Sequence, residues 1–412
     1  MSFQQGLSGL NAASKTLEVI GNNVSNASTV GFKQSRAEFA DVYANSLTGS
    51  GSSQIGIGTK ISTVAQQFTQ GNISSTNNPL DIAINGGGFF RLSDGGAITY
   101  SRNGQFQMDK DGFIVNSDGK RLTGYTADTA GVLSTGAASE LNINMSDLQP
   151  SATTAVEGTL NLDSRNTPLT AAGFDPTDPS TYHSSSAVTV YDSLGNSHNV
   201  QSFFVKTGAG VWDVFTTADG VPTTTLPTPT STLTFTGSGI APTSVPAVPT
   251  VGFAPTTGGV PNGANAVSFT LDYSNSTQFG AGFSTNAITQ DGYTSGRLAG
   301  FNTSNDGTIV GRYTNGQSRV LGQVVLATFG NPNGLQALGG NAWDVTAASG
   351  DPLIGPPNSG SFGVLQSSAL EDSNVDLTAE LVNMITAQRV YQANAQTIKT
   401  QDQVLQTLVN LR

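Results

Sequence analysis

Residues 373–412 read SNVDLTAELVNMITAQRVYQANAQTIKTQDQVLQTLVNLR, with no glycine or proline between Leu377 and Leu411. Steps of three and four residues along this stretch place mostly apolar side chains on one face of a helix. The positions on these steps are Leu377, Leu381, Met384, Gln388, Tyr391, Ala395, Ile398, Asp402, Leu405 and Val409. Asp376 is expected to cap the helix, and Glu380 lies in its first turn, where the helix dipole favours an anion. The spacing therefore predicts a rod of about 52 Å whose apolar stripe needs another helix to cover it.

The N-terminal segment carries a similar stripe. Within residues 1–26 the same steps pass through Phe3, Leu7, Leu10, Leu17 and Val24, and Ile20 widens the apolar face. Gly21 is expected to weaken this helix, because glycine costs about 1 kcal/mol relative to alanine in a helix interior. Taken alone, the two stripes are compatible with terminal helices that pack on each other or on the rest of their own domain.

Between its ends the chain alternates short β-rich runs with turn signals. The runs include residues 80–84, 203–205, 211–215 and 324–329. Asp-Gly pairs at 111–112 and 118–119 predict hairpins. Eight of the 17 prolines lie between positions 222 and 261, so this stretch is predicted to form loops and short edge strands, because proline cannot donate to a central ladder. Changes in composition near 147–152 and 284–291 indicate domain boundaries.

The composition narrows the classes of function. The formal charge is -11 and charged residues make up 11% of the chain, against roughly 25% in an average soluble protein. The basic residues are scattered, which argues against nucleic-acid binding, and no apolar run approaches the roughly 20 residues that cross a bilayer. The absence of cysteine excludes disulfides and thiolate metal sites. The first residues lack the basic and apolar regions of a secretory signal, so we expect a protein that stays in the cytoplasm or is exported without cleavage.

Several motifs suggest chemistry but have a simpler interpretation. Gly86-Gly87-Gly88 is predicted to be a turn between strands, because no Lys-Ser or Lys-Thr follows it as in a phosphate loop. Asp109-x-Asp111-Gly112 lacks the spacing and closing glutamate of a calcium loop. His183 and His198 have no third ligand at close spacing. We therefore expect no catalytic, metal or cofactor site, although carboxylates distant in sequence could still meet in three dimensions.

Three segments resemble the bacterial flagellar rod and hook family of axial proteins. The N-terminal motif runs from IGNNVSN at 20–26 to TVGFK at 29–33, and its residues include Gly21, Asn22, Asn23, Asn26, Gly31, Phe32 and Lys33. The C-terminal motif begins with SNVDL at 373–377 and continues through Gln388, Arg389, Tyr391 and Asn394. The segment LDIAINGGGFFRL at 80–92 resembles the start of the family's β domain, whereas residues 150–290 match nothing by motif.

The resemblance implies a structural, extracellular protein. Rod members of the family have a shorter β portion, so the length of this chain favours the hook, a curved helical tube that acts as a universal joint between motor and filament. Export through the flagellar type III apparatus is implied, without a cleaved signal peptide. The implied partners are further copies of the chain, the rod, the hook cap and the hook-filament junction proteins.

The resemblance also implies a fold that is mainly β with terminal α-helices. Residues 1–26 and 373–412 are expected to pair as a coiled-coil-like assembly domain, joined by a connector of 27–72 and 362–372. A discontinuous β domain is expected at 73–147 and 290–361, with an outer β domain at 148–289 inserted in it. The predicted assembly side chains are Phe3, Leu7, Leu10, Leu17, Ile20, Val24, Leu377, Leu381, Met384, Tyr391, Ile398, Leu405 and Val409.

Two other interpretations stay open at this stage. A distal rod protein of the flagellar basal body would carry the same terminal motifs. A secreted β-rich adhesin would account for the middle of the chain, but it would leave both terminal stripes unexplained.

Overall fold

The computed structural model describes residues 2–42 and 56–410, and the side chains of all of these except 2 and 408–410. The long helices lie at the two ends of the chain, with α1 at Ser2–Ser25 and α2 at Leu377–Asn410. Asp376 precedes α2, and its Oδ1 accepts the backbone N–H groups of Thr378 at 2.9 Å and Ala379 at 3.1 Å, which confirms the predicted cap. Residues 43–55 of the expected connector lie outside the described residues.

The chain between the helices is built from strands. The strands up to residue 140 are β1 Ser35–Val42, β2 Gly58–Gln66, β3 Ile73–Ser75, β4 Ile82–Asn85, β5 Phe89–Asp94, β6 Ala97–Ser101, β7 Gln107–Met108, β8 Ile114–Val115, β9 Arg121–Thr126 and β10 Ser139–Glu140. The middle strands are β11 Ala155–Asp163, β12 Ser184–Tyr191, β13 Ser197–Gly208, β14 Val211–Ala218, β15 Val221–Pro222, β16 Ser231–Thr234, β17 Thr243–Val245, β18 Thr250–Phe253, β19 Thr256–Thr257, β20 Val260–Pro261, β21 Val267–Asp272, β22 Thr277–Phe279 and β23 Ser284–Gln290. The last strands are β24 Leu298–Thr303, β25 Thr308–Tyr313, β26 Ser318–Val324, β27 Leu326–Thr328, β28 Gln336–Gly339, β29 Ala342–Asp344, β30 Leu353–Gly355, β31 Val364–Ser367 and β32 Ala369–Glu371. Short 3-10 helices occupy Ala171–Gly173, Pro179–Thr181 and Pro332–Gly334.

Contacts within the chain define two compact units. One unit comprises residues 1–145, 300–312 and 318–412, and the other comprises 146–299 and 313–317. In the first unit β1 and β2 form an antiparallel hairpin, and a large sheet follows the order β24-β25-β26-β9-β5-β6-β29-β28. An aromatic cluster of Phe89, Tyr100, Phe329 and Trp343 is buried on this sheet, with Phe68 packed against it.

The second unit is a β-sandwich. One sheet has the order β18-β21-β11-β22 and the other the order β12-β13-β14-β16-β17. Their facing side chains form one buried core that includes Leu160, Phe204, Trp212 and Phe269. Phe203 points to the opposite face of β13 and packs with Phe174 in a second cluster. Both faces of β13 are therefore buried, which accounts for the unbroken apolar run at 203–205.

The predicted turns lie where glycine is needed. Gly112 and Gly119 have positive φ angles in the turns that separate β7, β8 and β9, which confirms the two predicted hairpins. Gly86, Gly87 and Gly88 connect β4 to β5, as the turn interpretation predicted. Pro222 and Pro261 lie in two-residue strands, and residues 222–261 otherwise form short strands and turns.

Candidate assembly site

The two terminal helices pack together along a face of small side chains. On α1 the buried positions Gly6, Ala13 and Ile20 repeat every seven residues, as in a coiled-coil seam. A Cβ atom on Gly9 would lie 2.8 Å from Oδ1 of Asn394, and one on Gly6 would lie 3.2 Å from Cγ1 of Ile398. Since Gly6 lies beside Ile398 and Gly9 beside Asn394, the two helices run antiparallel. The interface leaves little space, so it requires small residues at these positions of α1.

The predicted apolar stripe of α2 remains largely exposed. Leu377, Leu381, Tyr391 and Leu405 are exposed, whereas Met384 and Ile398 are half-buried. Further exposed apolar side chains on the same helix are Val382, Ile385, Val390 and Val404. The backbone of Val409 lies in α2, but its side chain lies outside the described part of the chain. On α1 Phe3 and Leu7 are exposed, Leu10, Leu17 and Val24 are half-buried, and Ile20 is buried.

Sequence reasoning missed the small-residue face of the helix pair. It followed leucines, and the seven-residue spacing of Gly6, Ala13 and Ile20 was the signal that could have revealed it. The packing of Gly6 against Ile398 also explains why Leu405 is exposed. Residues 402–410 extend past the start of α1, since α2 continues for about eight residues beyond the level of Ser2.

The N-terminal motif fixes the chain as it leaves α1. Asn23 is buried, and its side-chain amide donates to the carbonyl of Ser35 at 2.8 Å and accepts the backbone N–H of Ser35 at 2.9 Å. The amide thus pairs with β1 as a neighbouring strand would. Asn26 donates to the carbonyl of Asn22 at 3.0 Å, and Asn22 is exposed. The two bonds of Asn23 hold the end of α1 against the first strand of the hairpin.

Gly31 and Lys33 join this motif to the C-terminal segment. Gly31 has a φ of +71° and donates its N–H to the carbonyl of Glu371 at 2.8 Å, and Phe32 beside it is half-buried. The Lys33 ammonium lies 2.7 Å from Oε1 of Glu371, and both side chains are fully buried. Arg102 lies 3.5 Å from the other oxygen of Glu371. Burial lowers the pKa of Lys33, Glu371 opposes this effect, and Arg102 adds to it.

The C-terminal motif begins with a second set of bonds to the same region. Asn374 accepts the N–H of Gln34 at 2.7 Å and donates to the carbonyl of Gln67 at 2.8 Å. The side chain of Gln34 donates to Oε1 of Glu380 at 2.6 Å. Further along α2, Gln388, Arg389 and Tyr391 are exposed, and Asn394 is half-buried against Gly9. The motif residues therefore divide into a buried junction and an exposed helix surface.

Other polar clusters in the described residues have structural contacts. His198 is buried between two carboxylates, with Nδ1 2.7 Å from Asp219 and Nε2 3.3 Å from Asp192, whereas His183 contacts the carbonyl of Thr167. Within the described ranges, no group of three or more His, Cys, Asp or Glu side chains could hold a metal ion. The helices in those ranges are also not apolar enough over a sufficient length to span a membrane.

Known families match the chain in four parts. Residues 3–33 match the flagella basal body rod protein family, and residues 83–164 match the flagellar hook protein FlgE/F/G D1 domain. Residues 161–293 match the flagellar basal body protein FlaE D2 domain, and residues 366–411 match the flagellar basal body rod FlgEFG protein C-terminal family.

Individual relatives match over the whole chain. The flagellar hook protein FlgE of Salmonella typhimurium is 45% identical, and that of Escherichia coli K12 is 44% identical, each over 100% of both chains. The FlgE of Borreliella burgdorferi is 34% identical over 100% of this chain and 99% of the relative. The crystal structure of Helicobacter pylori flagellar hook protein FlgE2 covers 72% of this chain and 100% of its own, with a TM-score of 0.53 at 15% identity, and so has a similar fold.

Proposed function

This chain belongs to the flagellar hook protein FlgE family, and we propose that its terminal helices are the elements through which copies polymerise into the hook. A hook subunit is a structural protein that lies in the flagellum outside the cell and assembles with other flagellar components. The tube acts as the universal joint that transmits torque from the motor to the filament.

The observation that carries this proposal is the exposed apolar surface of α2. Its exposed large apolar side chains are Leu377, Leu381, Val382, Ile385, Val390, Tyr391, Val404 and Leu405. Burial of one Leu-sized side chain is worth roughly 1.5–3 kcal/mol. Contacts with neighbouring copies would remove this surface from water, and the gain is large enough to oppose the free-energy cost of association, which is on the order of 10 kcal/mol.

The geometry of the pair favours an open polymer. The face of α2 that packs on α1 includes Ala387, Asn394 and Ile398, whereas most of the large apolar side chains of α2 are exposed. A contact between two different surfaces of the same chain generates a helical filament when its rotation does not close a ring. We therefore place the helix pairs against one another on the inside of the tube, with the β domains facing outward.

The division into domains and the partners belong to the same proposal. We propose residues 1–26 and 373–412 as the assembly domain, 27–72 and 362–372 as the connector, 73–147 and 290–361 as a discontinuous β domain, and 148–289 as the outer β domain inserted in it. The specific partners are the rod, the hook cap and the hook-filament junction proteins, and the chain leaves the cell through the type III apparatus. The proposal requires no cofactor.

Charge on the exposed stripe tests the role of α2. The double variant Leu381→Glu/Leu405→Glu replaces two exposed leucines of α2 with charged side chains. Because both positions are exposed in the single chain, the free energy of unfolding should change by no more than about 0.5 kcal/mol. Polymerisation should be lost in a sedimentation assay, because burial of the carboxylates between copies is unfavourable. Val132→Glu is the control, because Val132 is also exposed but lies outside the helices.

The appearance of the polymer separates this function from the alternatives. In electron micrographs, curved tubes from the unmodified chain support a hook, straight tubes a distal rod, and dispersed monomers an adhesin. Normal tubes from the double glutamate variant would refute the proposed role of the helices.

A further inference from the structure

A cleft of about 950 Å³ lies between α1, β1 and α2. Its lining includes Ala12 and Thr16 from α1, Phe39 from β1 and Val390 from α2. Phe39 and Val390 are large apolar side chains that remain 39% and 47% exposed. The cleft thus presents apolar walls and small side chains, which leave space for side chains of another molecule.

One polar group in this cleft lacks a partner. Glu380 is 3% exposed, and its Oε1 accepts the hydrogen bond from Gln34. Its Oε2 is buried and has no hydrogen-bond partner among the described residues. A buried carboxylate oxygen without a donor is unfavourable, so the site is incomplete in the single chain. Glu380 is one of the residues that line the cleft, so a donor seated in the cleft would lie next to this carboxylate.

The opposite face of α2 carries a matching cation. Arg389 follows Glu380 by nine residues, or two and a half helical turns. The two side chains therefore lie on opposite faces of α2. Arg389 is exposed, and the described part of the chain provides it with no ion pair or hydrogen bond. Val382 and Ile385, at seven and four residues before it, are exposed on the same side of the helix. This face therefore combines apolar side chains with a guanidinium group.

We infer that the cleft receives the outer face of α2 from a second copy of the chain, and that Arg389 of that copy donates to Oε2 of Glu380. The inference rests on the proposed polymerisation and adds the contact that would fix its register. A guanidinium group suits a carboxylate because its N–H groups form a planar fork. Val382 and Ile385 of the incoming helix would fill the apolar part of the cleft.

Arg389 of a second copy suits Oε2 of Glu380 better than the other cationic side chains near the cleft or on α2. Arg389 cannot reach Glu380 within its own chain, because both lie on one straight helix and point in opposite directions. Arg36 lines the cleft but makes no hydrogen bond to Oε2. Lys399 is also exposed on α2, but its neighbours three and four residues away, which include Gln396, Asp402 and Gln403, are mostly polar and do not match apolar walls.

Charge exchange tests this contact in the full-length chain. Arg389→Glu should raise the protein concentration needed for polymerisation by about tenfold or more, because it places two carboxylates together. Arg389→Lys keeps the charge but loses the fork, so its effect should be smaller. Glu380→Arg combined with Arg389→Glu restores one cation and one anion at every contact and should recover polymerisation.

Cross-linking provides a readout that does not depend on Glu380→Arg being able to fold. The chain contains no cysteine, so Asn383→Cys on the cleft can be combined with Ile385→Cys or Gln392→Cys on the outer face. After assembly, a short bis-maleimide should produce a ladder of covalent oligomers from at least one of the two double-cysteine variants. Each single-cysteine variant should produce no species larger than a dimer.

The outcomes separate this inference from the proposed function. If Arg389→Glu polymerises as the unmodified chain does, or if neither double-cysteine variant forms a ladder while tubes are present, the inferred contact is wrong and polymerisation through the helices still stands. If Leu381→Glu/Leu405→Glu also forms normal tubes, the proposed function of the helices fails as well. Dimers as the largest product of both double-cysteine variants would indicate a symmetric contact and overturn the inference.

Discussion

Lys33, Arg102 and Glu371 bring two cations and one anion together in the interior of the first unit. The Lys33 and Glu371 side chains are fully buried, and Arg102 is nearly so. Glu371 also accepts the backbone N–H of Gly71 at 3.0 Å. Loss of the anion leaves two like charges in a region of low dielectric, whereas loss of either cation leaves one balanced pair.

Glu371→Gln should therefore destabilise the protein by about 3–5 kcal/mol, since it removes the shared counter-charge of a buried cluster. Lys33→Met should cost less, because Arg102 remains beside Glu371. The measurement is the free energy of unfolding from urea titration, and Glu140→Gln is the control. Glu140 pairs with Arg121 at 2.6 Å on the surface, where an ion pair is worth about 1 kcal/mol or less. Equal losses for Glu371→Gln and Glu140→Gln would contradict this account of the cluster.

At the scale of the element, two glycines of the N-terminal motif have opposite requirements. Gly21 lies within α1, and no atom beyond its immediate surroundings lies within 4 Å of a Cβ built on it. Gly31 lies in the turn after the helix with a φ of +71°, and a Cβ there would lie 2.7 Å from the backbone N of Asn103. The same residue type is thus replaceable in the helix and required in the turn.

Gly21→Ala should stabilise the protein by about 0.5–1 kcal/mol, because alanine loses less conformational freedom in a helix. Gly31→Ala should destabilise the protein by more than about 2 kcal/mol. The alanine would be held in a left-handed backbone conformation, and its Cβ would also clash with the backbone of Asn103. Thermal unfolding of both variants measures the difference, and each serves as the matched control for the other. A stabilised Gly31→Ala variant would show that the turn is not constrained in this way.

The two faces of α2 show how far an element can be predicted from its periodicity. The spacing predicted the helix, its cap and its length correctly. It also assigned the leucines to a face that needs a cover, yet α1 leaves the leucines exposed and covers Ala387, Asn394 and, from the predicted stripe, Ile398. The choice between these faces depends on the small residues of α1, which allow the close approach.

At the scale of the whole molecule, each compact unit has its own core and its own tryptophan. Trp212 is buried in the sandwich of the second unit, and Trp343 is buried in the aromatic cluster of the first. The chain contains two tryptophans. Replacement of one by phenylalanine therefore leaves a fluorescence signal for one unit.

Asp192 makes the stability of the second unit depend on pH. Burial raises the pKa of its carboxyl, but hydrogen bonds from Asn196, Asn262 and His198 outweigh this effect and hold the pKa at about 2, below the ordinary value of 3.8. Well above pH 3.8 the carboxylate is ionised in both the folded and the unfolded state, so its hydrogen bonds contribute fully. As the pH falls towards 2 the unfolded chain binds the proton first, and this contribution is lost.

Asp192→Asn should accordingly lower the free energy of unfolding at pH 7 by about 1–3 kcal/mol. The amide N–H₂ group of the new asparagine cannot accept the hydrogen bonds that Asn196, His198 and Asn262 make to the carboxylate. The difference from the unmodified chain should shrink between pH 4 and pH 2. Fluorescence of Trp212 in a Trp343→Phe background measures this change, and Trp343 in a Trp212→Phe background should not respond. A pH-independent difference would assign the effect to packing alone.

The sequence by itself determined the elements whose cause is local. Periodicity predicted both terminal helices, Asp376 predicted a cap, and the Asp-Gly pairs predicted hairpins, because each depends on backbone preferences over a few residues. The motifs at 20–33 and 373–394 also indicated the family. The partners of the motif residues could not be read in the same way, since Asn23 contacts β1 and Lys33 contacts a residue 338 positions away.

Only the tertiary structure decided which surfaces are buried and which stay available. It placed Glu371 between two cations, left one oxygen of Glu380 without a donor, and covered Ala387 and Asn394 of α2 instead of the leucines. These outcomes depend on distances between segments far apart in the chain. A one-dimensional pattern specifies the period of an apolar face, but the side chains that can approach it closely are determined by how the helices and strands pack.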